Sequence, residues 1–468
     1  MNLKISFFGA TRNVTGSRYL IETDDKRVLV DCGQHQEREF RHRDWESFPV
    51  PPQSLDAVLL THAHLDHCGM IPRLAHYGCS CPIYCTRATA EIVSIVLLDS
   101  AEIQQEDAEY KKQRHKKEGR KGRYPEVPLY TVDDVRKCLT QFSPVDYGKP
   151  VSIGNNIEVI FHDAGHIFGS SMITVKIKQG NESRKFIFTG DMGRWDSPIL
   201  CDPTTFREAD YIVMESTYGN REHESREEAV DRIAEIINDT ARAGGNIIIP
   251  TFAIERAQDL LYYLNKLILE NRIPHLAIFL DSPMAVEVTR VFKRYPELYD
   301  KEMKQFVKDE NSFFDSPRLF LVRTVAESKA INHIKGTIIV MAGSGMCTGG
   351  RIKHHLVTNI SRKASTILFP GYQAEGTLGR YIVDGASSAR ILGKRYRIKA
   401  RIEQIDGFSA HADVNELQKW LASLEKPPRR LFITHGEPEA AMNLAGLIRG
   451  KMAWQVSVPE YLEEAVLD

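Results

Sequence analysis

Six consecutive residues, His62-Ala63-His64-Leu65-Asp66-His67, place three imidazoles and a carboxylate directly after the apolar run LDAVLL. Neutral imidazole is the common side-chain ligand of zinc, and a carboxylate is its usual companion. A strand that ends in a tight loop can project alternate side chains into one space, as a metal centre requires. The ordinary alternative is a polar loop with unrelated histidines. Such density after a buried segment is hard to explain that way.

More residues of the same chemistry recur in the same setting. His166 lies in HDAGHIFGS, Asp191 ends KFIFTGD, and Glu215 closes YIVME. His411 lies in GFSAHAD and His435 ends LFITH. Each stands where an apolar run gives way to small or polar residues. Catalytic and ligating groups of layered α/β folds gather at such strand ends, held by a rigid sheet. One histidine there is more often a hydrogen-bonded structural residue. Several after successive strands, together with the 62–67 cluster, point to a shared site.

These motifs resemble the metallo-β-lactamase superfamily. His62, His64, Asp66 and His67 match its HxHxDH motif, and Asp31 in LVDCG, His166 and Asp191 match its other metal-site motifs in order. After Asp191, the stretches MESTYGNREH, PTFAIERAQDLL, LDSPMA, MAGSGMCTGGR, GYQAEGTLGR, FSAHAD and ITHGE look like the β-CASP branch. That branch includes RNA endonucleases of the pre-mRNA 3′-end machinery and bacterial and archaeal relatives. The resemblance covers essentially the whole chain, so neither an N-terminal KH pair nor a long C-terminal extension is expected. One departure is Glu255, where the family usually has glycine before the arginine, here Arg256.

The resemblance implies an α/β fold: an αββα sandwich with an inserted β-CASP α/β domain, a parallel sheet flanked by helices. Residues 1–213 and 394–468 would be the two parts of the metallo-β-lactamase domain, and 214–393 the insertion. It implies that His62, His64 and His166 hold one metal, that Asp66, His67 and His435 hold the other, and that Asp191 bridges them. Asp31 would orient a ligand histidine, a service that ligating imidazoles generally require. His411 would be the general acid and Glu215 its acidic partner, so that His411, Glu215, Asp66 and Asp31 form the catalytic set. Ser409 and the glycine-rich loop, through Ser344, Gly345, Met346 and Arg351, would lie near substrate phosphate. Taken alone, that loop is an ordinary turn. It is no dinucleotide fingerprint, because the spacing is wrong and no acidic ribose partner follows.

Two ions roughly 3.5–4 Å apart can share an activated hydroxide and clamp a phosphate. An imidazolium can then protonate the departing oxygen. Zinc suits a site rich in imidazole, with manganese as an acceptable substitute. The implied function is a metal-dependent ribonuclease, endonucleolytic with a 5′-exonucleolytic mode, leaving a 5′-phosphate and a 3′-hydroxyl. Single-stranded RNA would be the substrate and a homodimer the assembly. A DNA nuclease of the same branch is an alternative, although DNA-processing relatives typically carry an aliphatic residue at the position of His435. A scaffold subunit is another, but such paralogues lose metal ligands. A small-molecule hydrolase does not need the long insertion between Glu215 and His411.

The elements that must position these residues are legible in outline. LKISFFGA, SRYLIETD, RVLVDCG and residues 55–62 read as strands, with a helix from Asp66 through His76. Residues 87–117 read as a helix, and its basic tail, KKQRHKKEGRKGR, as a solvated helix end and loop. Strands return from residue 157. From about 216 helices and strands alternate, as in a parallel sheet wound with helices. Ser225 with Glu228 suggests a capping box for a helix over 225–245, and a further helix is expected over 253–272.

The 468 residues carry a formal net charge of −1, so the chain as a whole is no electrostatic nucleic-acid binder. RNA would have to be held by a local basic cleft or by metals. No apolar run is long enough for a bilayer and the N-terminus does not read as a signal peptide, so a cytoplasmic protein with no membrane partner is expected. The eight cysteines are expected as free thiols.

Overall fold

The computed structural model describes residues 2–308, 314 and 316–468. Two compact units emerge. Residues 2–197, 201–222 and 411–468 form the first, and residues 198–200 and 223–410 form the second.

In the first unit, Leu3, Ile5 and Phe7 alternate along the strand Leu3–Gly9 and are fully buried in one core. That strand pairs antiparallel with Arg18–Glu22 on one side and with Glu464–Leu467 on the other. The sheet runs in the spatial order Glu464–Leu467, Leu3–Gly9, Arg18–Glu22, Arg27–Val30, Ala57–Leu59, Ile83–Thr86, Phe142–Val145. A second sheet runs Val456–Ser457, Arg430–Ile433, Tyr211–Met214, Glu182–Phe188, Ser171–Gln179, Ile157–Asp163, Pro150–Ile153. Phe7, Val30 and Leu59 of one sheet share a core with Phe161, Phe188 and Phe432 of the other, so the sheets lie face to face. Ile187, Ile212 and Ile433 look outward from the second sheet. They pack on Leu417 and Trp420 of the helix Val414–Leu421 and on Leu444 and Ile448 of Pro438–Met452. The long helix Arg87–Glu118 adjoins the first sheet, completing an αββα sandwich.

The expected strand over 55–62 shortens to Ala57–Leu59, and the helix expected from Asp66 to His76 is two, Leu65–Cys68 and Ile71–His76. Pro72 accounts for the break. It has no N–H, and its ring would crowd the carbonyl of Cys68 in a continuous helix. The Met70 N–H donates instead to Cys32 O at 2.8 Å, and the Cys32 N–H donates to His67 O at 2.7 Å. The turn is thereby stitched to the strand end that carries Asp31. Gly33 permits this approach, because a Cβ there would lie 1.6 Å from the Asp66 carbonyl oxygen. The basic residues 111–118 end the helix Arg87–Glu118 on a largely exposed face, and Gly119 caps it at φ +63°.

The second unit holds a six-stranded sheet in the order Leu319–Leu321, Ala277–Asp281, Ile338–Ala342, Ile247–Pro250, Thr366–Pro370, Arg401–Ile405, with every pairing parallel. Unbroken apolar runs such as Ile247–Ile249 are buried on both faces, as a helix-covered parallel sheet requires. On one face Ile248, Val340 and Ile367 pack with Ile352, Leu356 and Ile382 of two helices. Only half of the expected capping box forms: Ser225 accepts the Glu228 N–H, while its hydroxyl donates to Glu227. The helix expected from 253 begins at Arg256, because the Arg256 N–H donates to Ile254 O at 2.8 Å in a tight turn centred on Glu255. Glu255 takes φ +61° and ψ −60° there, a strained conformation that glycine would occupy at little cost.

The division between units falls later than the expected 213/214 and 393/394. Residues 214–222 stay with the first unit, where Ser216 N–H donates to His435 O and Val414 N–H donates to Arg221 O. Residues 401–405 belong to the second because they pair with Thr366–Pro370. No helix among the described residues is long and apolar enough to cross a membrane.

Asp413 caps the helix Val414–Leu421. Its side chain accepts the Asn415 and Glu416 N–H groups at 2.9 and 3.0 Å, and Glu416 accepts the Asp413 N–H in return. Replacing it by alanine should cost about 1–2 kcal/mol, read as a lowered midpoint of chemical denaturation. An unmoved midpoint would mean that packing through Trp420 alone sets this helix.

Candidate metal centre and its acid–base partner

All seven residues expected as ligands lie in the first unit, and so do His411 and Glu215. His62 and His64 precede the short helix Leu65–Cys68, which carries Asp66 and His67. His166 follows Ile157–Asp163, Asp191 follows Glu182–Phe188, Glu215 follows Tyr211–Met214, and His435 follows Arg430–Ile433. Donor atoms of His62, His64, His166 and Asp191 lie within 4.8 Å of one another, as do those of Asp66, His67 and His435. Asp191, Glu215 and His411 form a third such group.

Asp191 stands between the first two groups and divides its oxygens. Oδ2 is 3.4 Å from His62 Nε2 and 3.4 Å from His166 Nε2. Oδ1 is 3.1 Å from His67 Nε2 and 3.4 Å from His435 Nε2. His435 Nε2 is also 3.4 Å from Asp66 Oδ2. Although buried, Asp191 Oδ1 accepts no hydrogen bond among the described residues. An orphaned carboxylate oxygen in such surroundings is costly unless a cation completes it.

The imidazole tautomers point the same way. The one hydroxyl proton of Thr61 is claimed by the Asp31 carboxylate, 2.8 Å from Oδ2. Thr61 Oγ1 can then only accept from His62 Nδ1, 3.0 Å away, which turns the bare Nε2 of neutral His62 toward Asp191. Asp31 Oδ2 likewise takes the Nδ1–H of His67 at 2.7 Å, and Thr217 Oγ1 lies 3.0 Å from His435 Nδ1. The inward nitrogens crowd one another: His62 Nε2 to His64 Nδ1 is 3.0 Å, His64 Nδ1 to His166 Nε2 is 3.3 Å, and His67 Nε2 to His435 Nε2 is 3.1 Å. Tetrahedral zinc with bonds of about 2.0–2.1 Å spaces neighbouring nitrogens by about 3.3 Å. These spacings are of the size that a tetrahedral metal such as zinc requires.

Burial lowers the pKa of His62 to about 3 and of His64 to about 4, and holds His166 well below the ordinary range, so all three are neutral. His67 goes the other way. Burial opposes its charge, but Asp191 and Asp31 raise it well above the usual value. Burial also disfavours charge on Asp191, yet His435 and His67 hold it well below the usual carboxylate range. His411 Nδ1 lies 3.1 Å from Glu215 Oε1 and 4.0 Å from Asp191 Oδ2. Against the penalty of burial, these carboxylates raise His411 to about 9, so it carries a proton at neutral pH. Glu215 is itself fixed by the Met192 N–H at 2.6 Å and the Thr217 N–H at 3.3 Å.

The residues expected near substrate phosphate, Ser409, Ser344, Gly345, Met346 and Arg351, all fall in the second unit. The Arg351 guanidinium donates to buried Asp281 at 2.7 Å and to the carbonyls of Val322 and Arg323. The Met346 carbonyl takes the Gly379 N–H, and Ser344 Oγ takes the Thr348 N–H. Buried Ser409 is 7% exposed. Sequence reasoning missed Thr61 and Thr217, which hold two ligand imidazoles. The signal available was their adjacency to His62 and to the Glu215 motif.

Three family descriptions match in succession: a metallo-beta-lactamase superfamily domain over residues 20–193, a Beta-Casp domain over 257–382, and a Zn-dependent metallo-hydrolase RNA specificity domain over 395–459. The chain is 37% identical over 447 residues to Ribonuclease TTHA0252 of Thermus thermophilus, covering 95% of this chain and 96% of that protein. It is 33% identical over 475 residues to Transcription termination factor FttA of Methanocaldococcus jannaschii, covering 98% of this chain and 71% of that one. A crystal structure of a protein of unknown function from Enterococcus faecalis V583 covers both chains fully, with a TM-score of 0.58 at 14% identity, a likeness of fold alone. With the donor set gathered at the strand ends of an αββα sandwich, these matches establish that the chain belongs to the Beta-Casp branch of the metallo-beta-lactamase superfamily.

Proposed function

We propose that this chain is a ribonuclease that hydrolyses single-stranded RNA at two zinc ions, cutting internally and, as a second mode, from the 5′ end. The observation that carries this reading is the division of the Asp191 oxygens between two sets of neutral or neutralisable imidazoles. His62, His64 and His166 would hold one ion, and Asp66, His67 and His435 the other, with one Asp191 oxygen for each. The imidazole majority favours zinc, and the carboxylates leave manganese a workable substitute. Such a pair of cations supplies a nucleophile from water at neutral pH and neutralises charge gathering on phosphoryl oxygens.

The protein's own residues do the rest. Asp31, Thr61 and Thr217 hold the imidazoles in the tautomers that leave their inner nitrogens bare. His411 delivers a proton to the departing O3′ of the upstream nucleotide, leaving a 3′-hydroxyl and a 5′-phosphate. A fifth of its side chain reaches solvent, whereas Glu215 is closed off, so the proton is offered outward from a fixed support. His435 favours RNA over DNA as substrate, by the same likeness to the RNA-cleaving members. The test is cleavage of single-stranded RNA and DNA of one sequence, labelled at either end. RNA should be cut, chelator should stop the cutting, and added zinc should restore it. Chelator-resistant cutting, or DNA cut as fast as RNA, would overturn the reading.

The acid works only while protonated, so activity is present below the pKa of His411 and is lost as pH rises through it. Glu215 and Asp191 raise that pKa to about 9, and bound cations would offset part of the pull of Asp191. Glu215→Gln removes the larger support and should move the basic limb of the rate profile down by about one pH unit. A limb that stays in place would separate Glu215 from the acid. His411→Ala should keep its metal and lose about 10²–10⁴ in rate. Wild-type turnover in that variant would dismiss His411 as the proton donor.

A further inference from the structure

His411 belongs to a column of flat groups that leads from the metal ligands to solvent. The His166 ring lies 4.5 Å from it, centroid to centroid, and the Tyr218 ring 6.1 Å. The guanidinium of Arg221 sits 4.4 Å over the Tyr218 ring. Exposure rises along the series: His166 is buried, His411 and Tyr218 are half-buried, and Arg221 is exposed. All four belong to the first unit.

The loop that carries Tyr218 and Arg221 is fastened at both ends. Ser216 N–H donates to His435 O at 3.0 Å, Val414 N–H donates to Arg221 O at 3.3 Å, and Tyr218 bridges to Asp413. Asn443 Nδ2 donates to Gly219 O at 2.8 Å. These backbone ties fix the loop on which Tyr218 and Arg221 stand. A planar, permanently charged fork seated on an aromatic face loses little entropy on meeting a phosphate. One aromatic ring, that of Tyr218, separates this fork from His411.

We propose that Arg221, positioned by Tyr218, binds the RNA phosphate immediately 5′ of the scissile one. The inference rests on His411 serving the O3′ leaving group. That oxygen belongs to the upstream nucleotide, whose own 5′-phosphate is the next anion outward along the strand. Arg221 is then a binding residue for substrate upstream of the cut, a side that an internal cut engages fully.

The test pairs a variant with a modified substrate. End-labelled RNA carries one methylphosphonate, which removes the charge of a single linkage, and the rate at each bond is read separately. With the parent protein, the bond immediately 3′ of the modified linkage should be cut about tenfold more slowly at subsaturating RNA. Arg221→Gln should raise KM by about tenfold with kcat little changed, and should cut that bond equally slowly with or without the modification. Tyr218→Leu should reproduce part of the KM effect. A methylphosphonate penalty of full size in Arg221→Gln, or an unchanged KM, would overturn the proposal. Failure of the ribonuclease reading would show differently, as no metal-dependent cutting by the parent protein at all.

Discussion

A buried carboxylate between two rings of nitrogen lone pairs is the constraint on which the rest of this molecule turns. Asp191 is 2% exposed, and each of its oxygens faces two imidazole nitrogens. Without positive charge this arrangement would waste the desolvation of Asp191 and set bare nitrogens against one another. With a cation on each side the same geometry becomes favourable. Burial holds His62, His64 and His166 neutral and Asp191 and Asp66 stay ionised, while Asp191 raises His67 and His435, drawing onto those two rings the positive charge that a cation would supply.

The sandwich exists to bring those residues together from strand ends far apart in sequence. Close approach of backbones does much of this. Gly33 lets the Asp31 strand end lie against the Asp66 turn, and Gly193 lets the Asp191 loop lie against the His166 loop, where a Cβ would fall 1.7 Å from Gly165 O. Asp31 and His435 both adopt positive φ, +59° and +48°, which is costly for residues with side chains. Strain of this kind persists where the surroundings determine it, and it marks the two places where a chain turns sharply to aim a functional group inward.

The ligands were legible in the sequence because each is a His or Asp at the end of an apolar run. What held them was less so. Thr61 and Thr217 are β-branched residues next to strands, a commonplace position, and only the folded chain brings their hydroxyls onto His62 and His435. The strand Glu464–Leu467 could not be paired by eye with Leu3–Gly9 at the other end of the chain. The helix expected over 66–76 misjudged Pro72, whose cost to a continuous helix outweighs the apolar pattern. The support of the glycine-rich loop was equally hidden: Asp281, fully buried and distant in sequence, accepts from the Arg351 guanidinium and lies 2.6 Å from the His355 imidazole.

Diffraction from crystals of the zinc-loaded protein, recorded across the zinc absorption edge, tests the account most directly. Two anomalous peaks per chain are expected, one among His62, His64 and His166 and one among Asp66, His67 and His435, with a different Asp191 oxygen on each. A single peak, or an Asp191 carboxylate turned wholly to one of them, would contradict it.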